Sequence, residues 1–181
     1  LPGQPAFTGT TGVAGADYLC NTDESKPALP SGAQYKAMLA VENERQACPV
    51  GYYDTPCDTT AGNNIDWVMT PFTNYINTQN GLIGATNGAG VFTFNTTNFI
   101  ALPRIGMTEG RAWTGIATAG WATAPGYACN NWTSSSDADF GTPGQVGVYL
   151  NVIQISVDPI ACNGKKYAED STNGLYCVQQ P

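Results

Sequence analysis

The sequence predicts a single α+β domain of short strands, one or two short helices and long ordered loops, braced by disulfides. Three observations lead there. The 181 residues are the size of one domain and enough to bury a core. The apolar residues come in short runs broken by 21 glycines and 12 prolines, and none of the runs is long enough to cross a membrane as a helix. The six cysteines are Cys20, Cys48, Cys57, Cys129, Cys162 and Cys177, and there is no histidine. A structural zinc site would therefore need cysteines alone, at spacings these do not have. Disulfides are the better reading, and they imply an oxidising compartment. Six cysteines can pair in many ways, so composition leaves the connectivity open.

Along the chain, residues 1–11 read as an extended lead-in and residues 12–181 as the domain. Val13, Ala16, Tyr18, Leu19 and Cys20 fall at helical spacing, which predicts a short helix over 12–20 with Asp17 capping or shielding its start. A polar loop with two prolines, 21–33, leads to a half-buried strand over 35–41. Residues 42–65 are loop and carry Cys48 and Cys57. A short apolar strand is expected over 66–69, stopped by Pro71, and a helical turn over 74–80. Strands over 83–86 and 90–94 flank the turn Asn87-Gly88. A further strand is expected over 112–116. The stretch 117–145 is irregular, and loops of that length inside a compact domain are usually functional or pinned. The alternation over 146–157 gives one or two strands, and 174–178 a closing strand.

Charge narrows the function. Fourteen acidic against seven basic residues leave a formal charge of −7, with no basic cluster beyond Lys165-Lys166. Partners such as nucleic acid, heparin-like polymers and anionic membrane are unfavourable against that charge. With disulfides expected and no apolar span, the domain is expected outside the cell, secreted or surface-exposed, its first residue following a removed export signal.

Several short motifs occur in a fixed order: Gly15-Ala16-Asp17 before Cys20, Tyr35-Lys36-Ala37-Met38-Leu39, Asp66-Trp67-Val68, Val91-Phe92-Thr93-Phe94, Trp113-Thr114-Gly115, Cys129-Asn130-Asn131-Trp132 and Leu175-Tyr176-Cys177-Val178. This order resembles endostatin, the C-terminal domain of collagen XVIII, whose fold is related to C-type lectin domains. It resembles more closely a bacterial family of exported lectin-like domains of unknown function. The resemblance spans about residues 12–180. It implies a C-type-lectin-like, endostatin-like fold and a nested pairing: Cys20–Cys177 outside, Cys129–Cys162 inside, with Cys48–Cys57 left as a local pair. The inner bridge would pin the 117–145 loop. The departures are informative. Endostatin binds zinc through histidines, absent here. It binds heparin through arginine clusters, whereas Arg45, Arg104 and Arg111 are widely separated. The sugar-binding motifs of calcium-dependent lectins are also missing, so a lectin-like fold does not by itself make a lectin.

Candidate sites follow from residue chemistry. Without histidine, Ser-His-Asp and Cys-His machinery is excluded. A carboxylate pair, as in glycoside hydrolases, could be drawn from Glu42, Glu44, Asp54, Asp58, Asp66 and Glu109. Asn130, Asn131, Asp137 and Asp139 are oxygen donors around the long loop and the candidates for calcium, which needs several such ligands. Trp67, Trp113 and Trp132 are expected in the core. Trp121 and Tyr127, in a Gly/Ala/Pro-rich stretch, are expected as an exposed platform on which a sugar or partner side chain stacks. Tyr52-Tyr53 is a second platform of that kind. The functional expectation is a monomeric, non-enzymatic binding domain. It would recognise a host glycan or extracellular-matrix protein through loops on a rigid scaffold, with Trp121, Tyr127, Asp137 and Asp139 as contacts. The alternatives are a secreted hydrolase using two carboxylates and a structural or assembly module.

Overall fold

The computed structural model describes residues 12–24, 26–48, 64–76, 80–92, 99–101, 110–117, 121–146, 152–154, 159–163 and 174–181. Among them the architecture is mixed α+β, with two helical segments and small sheets. A helix, α1 (Gly12–Thr22), precedes strand β1 (Gln34–Ala37). Strands β2 (Asn74–Ile76), β3 (Leu82–Ala85), β4 (Phe99–Ala101) and β5 (Gly110–Trp113) follow. A single turn, α2 (Cys129–Trp132), leads to β6 (Phe140–Gly141), β7 (Pro143–Val146), β8 (Val152–Gln154), β9 (Ile160–Ala161), β10 (Gly174–Leu175) and β11 (Cys177–Gln180). The largest sheet has the order β10-β5-β7-β8-β4, and β1–β11, β2–β3 and β6–β9 form two-stranded ladders.

The segment starting at β1 organises the interior through the two-residue period of extended chain. Tyr35, Ala37, Leu39 and Val41 pack into one core with α1, Trp113, Trp132 and Ile160. Met38 and Ala40 point the other way, into a second core with Val68, Val91, Ile116 and Trp121. The segment is therefore buried on both faces. Its backbone is satisfied on both sides too: β1 pairs β11 antiparallel, Gln34 opposite Gln180 and Ala37 opposite Cys177. Beyond it, Met38 N–H donates to Tyr176 O at 2.8 Å and Ala40 N–H to Thr114 O at 2.7 Å.

Two disulfides clamp this arrangement. Cys20, near the end of α1, is bonded to Cys177 in β11 with Cα atoms 5.6 Å apart. Cys129, in α2, is bonded to Cys162 with Cα atoms 5.5 Å apart. Cys48 is also disulfide-bonded. The expected pair Cys48–Cys57 involves Cys57, which lies outside the described residues, as does the lead-in 1–11.

Three local expectations are corrected. Residues 66–69 are not a strand: Asp66 sits at φ +40°, a left-handed conformation that no ladder accepts, because its carboxylate is turned towards Lys36 and Arg45. The helical turn expected over 74–80 is instead strand β2, paired antiparallel with β3, Tyr75 opposite Gly84. Three residues are too short a window to separate the two periods. After the turn at Asn87, only the single bridge Thr86–Phe92 stands in place of a strand over 90–94, within the described residues. The alternation over 146–157 resolves into the end of β7 and all of β8, and the closing strand is divided into β10 and β11.

Candidate functional site

One cluster of charge lies inside the fold. Arg45, with a side chain only 3% exposed, donates from Nη1 and Nη2 to the two carboxylate oxygens of Asp17 at 2.7 and 2.8 Å. It also donates from Nε and Nη2 to Asp66 Oδ2 at 3.0 and 2.6 Å, and to Ala37 O at 3.0 Å. Lys36 forms a further ion pair with Asp66. Asp17 Oδ1 accepts the Ala37 N–H at 2.8 Å as well. Asp17 lies in the middle of α1 rather than at the helix start expected for it, and it ties α1 to β1 and to the turn at Arg45. Burial pushes the Asp66 carboxyl up, but hydrogen bonds and charge from Lys36 and Arg45 outweigh it and hold the group below the ordinary value. Burial likewise disfavours the Arg45 charge, and the two carboxylates overcome it and raise its pKa. A carboxylate so fully engaged is structural, which removes Asp66 from the catalytic candidates.

A polar hollow of about 310 Å³ opens on the surface, lined by Glu42, Ala124, Pro125, Gly126, Ala128, Asn130, Asn131 and Asp139. Its walls come from distant parts of the chain. The backbone bridge Val41–Arg45 closes a tight turn that presents Glu42, with Asn43 at φ +60°. The second wall is the turn 124–127, where Ala124 N–H donates to Gly115 O at 2.8 Å and Tyr127 N–H to Ala124 O at 3.3 Å. The third is α2, whose four residues all have positive φ, from +47° at Cys129 to +61° at Trp132. Left-handed backbone costs about 1–2 kcal/mol for each such residue, less for asparagine. Here the Cys129–Cys162 bridge and the buried Trp132 ring hold both ends of the turn. Asn130 and Asn131, the tolerant residue type, occupy the exposed middle and face the hollow. Asp139 is oriented by the Ser134 hydroxyl, which donates to Oδ2 at 2.5 Å, and its carbonyl accepts Cys162 N–H at 2.9 Å.

Of the loop residues singled out from the sequence, Asn130, Asn131 and Asp139 come together around this hollow. Glu42, considered only among possible carboxylate pairs, joins them through a contact that no local pattern announces. Glu44 is exposed and does not line the hollow. Tyr127, between two lining residues, is 43% exposed. Asp137 is exposed but lies outside the lining. Trp121 is the clear correction: it is 1% exposed, its indole N–H donates to Phe92 O at 3.0 Å, and its ring meets Trp67 and Phe92 edge-on or tilted. The bridges Cys48–Ala122 and Ile116–Thr123 fold Trp121 and its small neighbours inward, so Trp121 cannot serve as a surface platform. Trp113 and Trp132 are buried, and their rings pack at 5.7 Å; Trp67 is half-buried. Tyr52, Tyr53, Asp54, Asp58 and Glu109 lie outside the described residues.

Calcium fits the hollow poorly. Among the described residues only two carboxylates line it, and no group of three or more His, Cys, Asp or Glu side chains could hold a metal ion. A space of about 310 Å³ is also far larger than an ion bound by oxygens about 2.3–2.6 Å away.

A protein family described as Protein of unknown function (DUF1554) matches residues 4–148. The chain belongs to that family. Its matched span contains the described lining residues of the hollow and the Arg45 cluster. No curated protein and no solved structure matches the chain.

Proposed function

We propose that this member of the family is an exported, C-type-lectin-like binding domain that recognises a glycan outside the cell, on a host surface or its matrix, through the loops around the polar hollow. The observation that carries the reading is the hollow itself. Two amides and two carboxylates converge there from three separate chain segments, with a half-exposed tyrosine, Tyr127, on the segment that forms its edge. Sugar hydroxyls need paired donors and acceptors. Asn130 and Asn131 supply both, Glu42 and Asp139 supply acceptors, and an aromatic ring supplies a face for stacking. The disulfide count supports an oxidising compartment. No helix among the described residues is long and apolar enough to cross a membrane. The order of the short motifs supports the endostatin-like topology.

A glycan array probed with the wild-type domain and with Asn131→Ala tests this. Binding to a defined set of glycans that Asn131→Ala weakens by about tenfold, the loss of one or two buried hydrogen bonds, is the expected outcome. Binding by neither protein to any glycan removes the reading. A second reading, a hydrolase, draws on one observation: Glu42 and Asp139 are two carboxylates on one hollow, the residue types that glycoside hydrolysis uses. Release of reducing ends from array-positive glycans, abolished by Glu42→Gln, would decide for it.

A further inference from the structure

The hollow carries an unbalanced negative charge. Glu42 and Asp139 face it, and among the described residues no lysine or arginine lines it. Among the described residues the ion pairs engage Asp17 and Asp66 with Arg45 and Lys36, so those two cations are committed elsewhere. The whole chain adds to this field, with a formal charge of −7. A ligand made only of neutral hydroxyls would donate hydrogen bonds to the two carboxylates but leave their charge unmatched. A ligand bearing a protonated amine would instead make charge-assisted hydrogen bonds, roughly twice as strong as neutral ones. A bare ammonium, however, would not use the Asn130 and Asn131 amides, which both donate and accept. We infer that the hollow selects an amino sugar with a free, protonated amine, the amine set between Glu42 and Asp139 and the ring hydroxyls on Asn130 and Asn131. This rests on the glycan-binding reading and names its substrate class: a de-N-acetylated hexosamine rather than its N-acetylated form.

The test is calorimetric titration of the full chain at mildly acidic pH with a tetrasaccharide of glucosamine, with its fully N-acetylated counterpart, with Nα-acetyl-lysine amide and with calcium chloride. The glucosamine oligomer is expected to bind at least about tenfold more tightly than the acetylated one. Glu42→Gln and Asp139→Asn should each remove most of that preference. Glu24→Gln, the same charge change at an exposed residue of the loop after α1, should leave it intact. Equal or better binding of the acetylated oligomer overturns the inference and leaves the glycan reading standing. Equal loss in Glu24→Gln reduces the effect to overall charge and overturns it too. Lysine amide binding as tightly as the sugar shows an ammonium site without sugar recognition, and calcium binding in place of the sugar shows a metal site; both overturn it. Binding of neither oligomer, with an empty glycan array, removes the inference and the reading together. Circular dichroism of each variant establishes that it is folded, and Glu42 lies in an exposed turn where the amide is isosteric.

Discussion

With a side chain 3% exposed and two carboxylates and a carbonyl around it, Arg45 holds three segments at once: α1 through Asp17, β1 through Ala37 and the stretch after residue 64 through Asp66. Its removal leaves Asp17 with the Ala37 N–H but without its cationic partner. Taking one member from a buried pair costs about 3–5 kcal/mol, so Arg45→Met is expected to lower unfolding stability by about 3 kcal/mol, read from urea denaturation. Asp66→Asn should cost about 1 kcal/mol, because Asp66 is 44% exposed and solvent screens it. The pH dependence has a definite sign. The Asp66 pKa is lowered in the folded chain, so its contribution is fully present above the ordinary carboxylate value of 3.8 and is lost as pH falls through its own lower one. The urea midpoint of the wild type should therefore fall below about pH 4, and Asp66→Asn should show a shallower fall. An unchanged slope in that variant would mean that other carboxylates govern acid unfolding.

At the scale of elements, the short motifs turn out to be junctions rather than surface signatures. Gly15-Ala16-Asp17 supplies the Arg45 partner, Tyr35-Lys36-Ala37 the strand between the two cores, and Cys129-Asn130-Asn131-Trp132 the left-handed turn. Gly115, the last residue of Trp113-Thr114-Gly115, is the tightest of them. It has φ +66°, and an added Cβ would lie 2.3 Å from Ala40 O and 2.9 Å from Trp132 Cζ2. Left-handed strain and overpacking each cost about 1–3 kcal/mol, so Gly115→Ala should destabilise by about 3 kcal/mol or more in thermal denaturation. A variant with wild-type stability would contradict the close approach of these segments. The same contrast separates what was legible in the sequence from what was not. Helix α1 and strand β1 stand out because burial there follows a regular period, through Val13, Ala16 and Cys20 and then Tyr35, Ala37 and Leu39. Strand β2 did not, because three residues with one inward tyrosine carry no period. The burial of Trp121 was hidden because its neighbours are small, and small residues read as loop although they are what lets a tryptophan sit in a core. The hollow was half legible: Asn130, Asn131 and Asp139 share one loop, but Glu42 reaches them only through tertiary folding.

For the whole molecule, closure is the governing feature. Strand β11, at the end of the chain, pairs with β1 near its start, and Cys20–Cys177 fastens the same junction across 157 residues of sequence. On the loop-entropy estimate this bond contributes about 5 kcal/mol and Cys129–Cys162, spanning 33 residues, about 4 kcal/mol. The two act on different properties. The outer bond joins residues that are not among the described lining of the hollow, whereas the inner one anchors α2, which supplies Asn130 and Asn131, to the residue whose N–H meets the Asp139 carbonyl. Removing the outer pair as Cys20→Ser/Cys177→Ser should therefore lower Tm strongly while leaving ligand affinity unchanged at temperatures where the variant is still folded. Removing the inner pair as Cys129→Ser/Cys162→Ser should weaken binding even where the fold persists, because the left-handed turn then relaxes towards ordinary backbone. Differential scanning calorimetry and sugar titration on both double variants separate these effects. If the two variants lose affinity in equal measure at equal fractions folded, the turn is not held by its disulfide, and the hollow's geometry must come from the Trp132 packing alone.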